Sequence, residues 1–290
     1  MDGSVRLGRQ SILSAAMAAA ALLAVIASGT GKPAAATLDD MRQSGTARIA
    51  YREDAVPFWL KNAVGKPAGL MVNLCPAVVA KMAADLSTAE IKITYVPVTA
   101  ANRFETIEKG QSDLLCEATS QTLARLKQVD FSIPTFVDGA GMMIRNDGPR
   151  SLDALAGKKI GVLAGTTEAA VRNALKAAEV ISVKSHPDGL GMLDHGEIVA
   201  YFADRSILMY LATQCDAPKR LRVTEQTLTM EPYALALRRG HPDFRLAVDR
   251  ALSRIYRSGE IVEIFSDLFG KNFELSPALQ ALYQFSALPD

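Results

Sequence analysis

Short runs rich in β-branched residues alternate along this chain with stretches of helical spacing, and that alternation restricts the fold to parallel sheets covered by helices. Thr46–Tyr51 (TARIAY) and Glu90–Val96 (EIKITYV) read as strands, and Met71–Leu86 between them has the period of a helix, which makes one βαβ unit. Pro76 is placed in the first turn of that helix, where its missing N–H matters little. A second set follows, with strands at Lys159–Leu163 (KIGVL), Val180–Val183 and Glu197–Phe202 (EIVAYF) and a helix at Glu168–Ala178. After Glu231-Pro232 the chain returns to a strand, Tyr233–Leu237 (YALAL), and then to an amphipathic helix over Asp243–Ser258. Pro242 and Pro277 read as helix starts, and Phe273–Leu288 as packing against the first half. There is no internal repeat and no low-complexity block after the N-terminus.

At the N-terminus Arg6 and Arg9 precede an apolar run of about fifteen residues, Ile12–Ile26, and Ala34-Ala35-Ala36 stands before Thr37. The run is shorter than the roughly 20 residues of a spanning helix, and Ser28 to Pro33 interrupt any longer one. The pattern is that of a secretory signal peptide, cleaved after Ala36, with a retained anchor as the alternative. No cysteine adjoins the junction to carry a lipid. Cleavage removes Asp2, Arg6, Arg9 and Lys32, which takes the formal charge from +1 to −1. A near-neutral mature chain argues against nucleic acid or an anionic membrane as the main partner. Its 254 residues can bury one large core or two lobes of ordinary domain size.

Export places three cysteines, Cys75, Cys116 and Cys215, in a compartment that favours disulfides. Three cannot all pair. Cys75 and Cys116 both belong to the first half of the chain and form the favoured bridge; three buried thiols are the alternative. Other chemistries find little support. His186, His195 and His241 are scattered, without metal-ligand spacing. The glycines at 139, 141 and 161 to 165 lack the lysine and hydroxyl offsets of a phosphate loop, and no nucleophile elbow occurs. No cofactor is expected.

The stretch Asp113–Phe131 (DLLCEATSQTLARLKQVDF) sets Arg125 twelve residues after Asp113, which opens a short apolar strand. Alone, an arginine in such a segment is an ordinary solvated residue. Together with Tyr51–Phe58 (YREDAVPF) and Val98–Arg103 (VTAANR), the stretch resembles the family 3 solute-binding proteins, which deliver polar amino acids to ABC importers, and within them the glutamate/aspartate-binding branch. The resemblance covers nearly all of residues 45 to 275. It implies a two-lobed α/β fold of the periplasmic binding protein type II, each lobe a sheet flanked by helices, with the ligand cleft between the lobes. By analogy the chain crosses between lobes near Phe136–Gly141 and Leu228–Pro232. Lobe 1 is then 37–138 plus 232–290, and lobe 2 is 139–231, after a signal peptide at 1–36.

Binding an amino-acid zwitterion means replacing its water with fixed partners of both signs, because an unpaired buried charge costs several kcal/mol. The resemblance assigns Arg125 to the α-carboxylate, where a guanidinium offers a planar fork. Ser120 adds a hydroxyl and a backbone N–H, and Ala118 adds backbone contacts. From lobe 2, Thr166 corresponds to a threonine on the ligand carboxylate, at a helix N-terminus suited to anions. Thr167 reads as an N-cap, and a plain cap is the ordinary role for both threonines. Asp204, after EIVAYF, corresponds to the aspartate that holds the α-amino group, a role compatible with capping the helix that begins near Arg205. Arg52 and Arg103 correspond to the arginines on the ligand's side-chain carboxylate. His186 corresponds to a further lobe-2 contact, against the ordinary role of a surface histidine.

Two departures stand out. Ala100 replaces a serine, and Cys116-Glu117-Ala118 replaces Cys-Gly-Ser, so two hydroxyls are lost and Glu117 brings a negative charge near the cleft. Strict alternation points Glu117 away from the face of Ala118 and Ser120. The expected function is periplasmic capture of a polar, glutamate- or aspartate-like amino acid for the permease subunits of an ABC importer in the inner membrane, without catalysis. Two rivals remain. One is a periplasmic cyclohexadienyl dehydratase-like enzyme on the same fold, with Glu117 as general acid. The other is a sensor that reports ligand to a partner receptor.

Overall fold

The computed structural model describes residues 38–53, 55–61, 67–88, 90–117, 119–214, 220–269 and 275–290. The segment read as a signal peptide with its expected cleavage site, Ala118 and Cys215 lie outside the described residues. A short helix, α1 (Leu38–Ser44), leads into β1 (Thr46–Tyr51), and a small ribbon of β2 (Leu60–Lys61) and β3 (Pro67–Ala68) precedes α2 (Leu70–Asp85). Next come β4 (Lys92–Pro97), α3 (Arg103–Glu108), β5 (Leu114–Leu115), a 3₁₀ turn at Arg125–Lys127 and β6 (Asp130–Asp138). The helix α2 starts at Leu70 behind Gly69, so Pro76 is not in the first turn but inside the helix.

The chain then enters a second sheet through β7 (Ala140–Arg145), β8 (Lys159–Leu163), α4 (Thr166–Ala174), β9 (Glu179–Val183), α5 (His186–Asp194), β10 (Ala200–Asp204), α6 (Arg205–Gln214) and β11 (Leu221–Thr227). It returns in β12 (Glu231–Leu237) and closes with α7 (Pro242–Ser258), α8 (Glu260–Phe269) and α9 (Pro277–Ser286). The strand read at Glu197–Phe202 lies instead at Ala200–Asp204, and the helix read to Ala178 stops at Ala174. Ile198 explains the first shift: it is fully buried as a turn residue, so its apolarity reports packing rather than a strand.

Each five-stranded sheet is mixed rather than parallel, in the orders β4-β1-β5-β12-β6 and β11-β7-β10-β8-β9. β1 pairs parallel with β4 and β5, and β8 with β9 and β10. The strands that carry the chain out of one sheet and back pair antiparallel, β6 with β12 and β7 with β11, as a departing and a returning segment must when they run side by side. Helices cover both faces. In β1, Ala47 and Ile49 join the core beneath α2 and α7, while Ala50 joins the core around Ile107 and Phe131 on the other face. In β10, Tyr201 and Ala203 point into one core, and Ala200 and Phe202 into the other. Burial on both faces makes β10 a nearly continuous apolar run. This is a two-lobed α/β architecture.

The two crossings touch. Gly139 joins β6 to β7, and a Cβ built there would stand 1.9 Å from the carbonyl oxygen of Thr229 on the returning crossing, so only glycine fits. Leu228 N–H donates to Ala140 O, and Ala140 N–H donates to Thr229 Oγ1, both at 2.8 Å.

Candidate functional site

A cavity of about 620 Å³ lies between the two sheets, a size suited to a small molecule. Its first wall comes from the ends of the first sheet's strands. Asp113 anchors this wall: its carboxylate accepts from Arg48 N–H at 2.7 Å and from the Arg48 guanidinium, which fixes β5 in register with β1 (Ile49 against Leu114). Cys116, the next residue after β5, donates its N–H to Ala50 O at 2.9 Å and is bonded to Cys75 on α2, with a Cα–Cα separation of 6.5 Å. The chain beyond β5 is therefore held by backbone, ion pair and covalent bond.

Glu117 follows directly, is 0 % exposed, and stands outside the cavity lining. Its Oε1 accepts from Thr119 Oγ1 at 2.8 Å and lies 3.1 Å from an Arg103 guanidinium nitrogen, and its Oε2 lies 3.6 Å from Arg52 Nε. Arg52, just past β1, and Arg103, the first residue of α3, both line the cavity in front of that carboxylate. Arg125 lines it as well and donates to Ser120 O at 2.7 Å. Burial, with the charge of Arg103 second, lowers the Arg125 pKa below the ordinary arginine value. The ring of Phe104 lies under both guanidinium groups, 4.9 Å from Arg103 and 5.4 Å from Arg125, an arrangement that favours a cation on a π face. Ser120 lines the cavity too, but its hydroxyl proton is given to Glu231 Oε2 at 2.5 Å.

The second wall is lighter in charge. Gly165 is the N-cap of α4, so neither threonine caps it; the helix begins at Thr166, whose side chain lies outside the described residues. Thr167 borders the cavity and donates to Asp204 Oδ1 at 2.7 Å. Asp204 ends β10, and its second oxygen accepts from Tyr233 OH at 2.6 Å, across from the first sheet. Burial, followed by the charge of Asp204, raises the Tyr233 phenol well above its usual pKa, so it stays a donor. Asp204 does not cap α6. Asp138 does, accepting from Ser206 N–H at 3.1 Å and from the Ser206 hydroxyl. Burial is the main reason that the Asp138 carboxyl is pushed up to about 6, with the charge of Asp204 adding to it. His186, the first residue of α5, lines the cavity with Nδ1 2.8 Å from Tyr201 OH. Lys184 completes the rim and is exposed.

The residues singled out from sequence thus meet at one cavity: Arg52, Arg103, Ser120, Arg125, His186 and Asp204 all border it. So does Ala100, while Ala118 is outside the described residues. The sequence reading missed Phe104, Thr167 as a partner of Asp204, Lys184, Tyr201, Glu231 and Tyr233. Lys184 and Thr167 stand beside residues already chosen, so neighbourhood could have found them. Glu231 and Tyr233 act on residues 111 and 29 positions away, a link no local pattern carries. Among the described residues no group of His, Cys, Asp or Glu is placed to hold a metal ion, and no helix is long and apolar enough to cross a membrane.

Comparison with known proteins agrees with this fold. The family described as bacterial extracellular solute-binding proteins, family 3, matches residues 47–271. An L-glutamate/L-aspartate-binding protein of Pseudomonas aeruginosa is 30% identical over 94% of this chain and 94% of its own length. A glutamate/aspartate import solute-binding protein of Escherichia coli is 27% identical over 87% of this chain and 88% of its own. Among solved structures, an ancestral arginine-binding protein bound to glutamine superposes with a TM-score of 0.68 at 26% identity, covering 78% of this chain and 99% of that one. An ancestral amino acid-binding protein described as a precursor of cyclohexadienyl dehydratase gives 0.70 at 24% identity, covering 80% and 99%, and supports the fold.

Proposed function

The chain belongs to the bacterial extracellular solute-binding proteins of family 3, and from that membership we propose that it captures an acidic amino acid, glutamate or aspartate, in the periplasm and delivers it to the permease of an ABC importer. The observation that carries the reading is the charge of the cavity: among the described residues, Arg52, Arg103, Arg125 and Lys184 line it against one acid, Asp204. Arg125 takes the α-carboxylate with a bidentate fork, helped by the N-terminus of α4. Asp204 takes the α-ammonium. An ionised carboxylate has about four acceptor sites; Thr167 and Tyr233 use two of them and orient the rest. Arg52 and Arg103 take the side-chain carboxylate, with His186 beside them on the facing wall. Such a ligand bridges both sheets, so it favours the arrangement in which they approach each other.

Calorimetric titration of the purified protein tests this. Glutamate or aspartate is expected to bind at least tenfold more tightly than glutamine or asparagine, and failure of both acids to bind overturns the reading. A dehydratase would need a general acid facing its substrate, whereas the Glu117 carboxylate sits behind Arg103. Turnover of prephenate or arogenate by the purified protein would reverse the choice.

A further inference from the structure

We propose that Glu117 is a specificity-determining residue of this cavity: a buried carboxylate that lowers the charge its arginines present and so sets the binding preference to a ligand with one net negative charge, which rests on the acidic amino-acid reading above. Three guanidinium groups converge on one wall, two of them against the same phenyl ring. Unbalanced, they would repel one another and draw in the most negative small molecule available. Glu117 supplies the balance from behind. It reaches Arg103 at 3.1 Å and Arg52 at 3.6 Å, takes the Thr119 hydroxyl at 2.8 Å, and is fully shielded from water. Its Oε2 is buried without a hydrogen-bond partner, so Arg52 is held to it by charge rather than by a formed bond.

The effect falls on Arg52 and Arg103, the pair proposed for the ligand's second carboxylate. With Glu117 in place, one carboxylate already stands against these two guanidinium groups, so a ligand carboxylate meets less positive charge at that corner than it would without Glu117. A dicarboxylate that lacks an amino group meets two penalties. Asp204 then faces no ammonium, and Glu117 adds a second, unscreened negative charge close to the same arginines. Apart from Asp204, which Glu117→Gln leaves in place, Lys184 and Glu231 do not reproduce this discrimination. Lys184 is exposed at the rim, where water and salt screen it. Glu231 lies behind Ser120, away from the Arg52–Arg103 corner, and binds the hydroxyls of Ser120 and Thr229.

Titration of wild-type protein and Glu117→Gln with glutamate, glutamine and glutarate, which is glutamate without its amino group, tests the assignment. Gln keeps an acceptor for Arg103 and Thr119 and removes the charge. In wild type, glutarate is expected to bind at least a hundredfold more weakly than glutamate. In Glu117→Gln, glutarate gains at least tenfold while glutamine changes less than threefold. A gain in glutarate affinity of less than tenfold in Glu117→Gln would mean that Glu117 only positions Arg103, and overturns the proposal while leaving wild-type glutamate binding, and hence the functional reading, intact. Should the variant fail to fold, wild type still decides: glutarate within tenfold of glutamate sinks the proposal. A wild type that binds glutarate but no amino acid overturns both readings together.

Discussion

The two walls of the cavity solve the same problem with different materials. The wall from the first sheet holds its cations against a buried counter-ion, an aromatic ring and a backbone tied down by Asp113 and the Cys75–Cys116 bond. The wall from the second sheet offers a helix start, a histidine and one aspartate oriented by two hydroxyls. Concentrated charge requires rigid compensation, because guanidinium groups left to themselves would separate or seek water. A wall that works with single charges and dipoles needs only orientation. On this view the first wall sets affinity for the anionic groups of the ligand, and the second adjusts fit.

That contrast can be tested by substitution. Arg125→Ala has the largest expected effect: two charge-assisted bonds of about 1.5–3 kcal/mol each are lost, so calorimetry should show affinity falling at least about a hundredfold while thermal unfolding stays near wild type. Replacing Cys75 and Cys116 together by serine frees a loop whose ends lie 41 residues apart, and urea unfolding should register a loss of about 4 kcal/mol. A change below about 1 kcal/mol would show that the first wall does not depend on its staple. Asp138→Asn addresses the junction of the walls. The native carboxyl is held up at about 6, above its ordinary 3.8, so the folded state holds its proton more firmly than the unfolded chain. Its contribution is full below pH 4 and is lost as pH rises through 6. The stability of wild type minus that of Asp138→Asn should therefore fall by about 2 kcal/mol from pH 4 to pH 7. Gly189→Ala is the mildest. A Cβ there would meet Tyr201 Cε2 at 2.3 Å and press on the ring whose hydroxyl touches His186. Calorimetry should show affinity down by roughly 1 kcal/mol, about fivefold, with the Arg125-dependent part intact.

The same contrast runs through what could be read from the chain before its structure. β1 occupies the bounds read from TARIAY, whose residues alternate in burial, and Tyr233–Leu237 lies inside β12, because a strand buried on both faces writes itself as an apolar run. Asp113 and Arg125 stand at a fixed spacing, and the residues of the first wall lie within or near motifs of a few residues each. The second wall is less legible. α5 has a weak amphipathic pattern interrupted by Gly189 and Gly191, and its start at His186-Pro187 looks like a loop. Asp204 could be named, but the hydroxyls that orient it could not, since Tyr233 belongs to the other sheet and Thr167 read as a cap. Phe104 gave no signal, since beside Arg103 an aromatic residue looks like core. The counter-ion role of Glu117 needed the distance to Arg103, although alternation had already turned it away from the cleft.

The contact between Gly139 and Thr229 carries a mechanical implication. Two separate connections between the sheets would leave them free to slide as well as to tilt. Here the outgoing and returning backbones are laced by the Leu228–Ala140 and Ala140–Thr229 hydrogen bonds with no room for a side chain between them, so they form one narrow pivot. Tilting about that pivot keeps the lacing, whereas sliding tears it. The sheets are thus left a single inexpensive motion, and any two facing residues part in proportion to their distance from the Gly139–Thr229 contact.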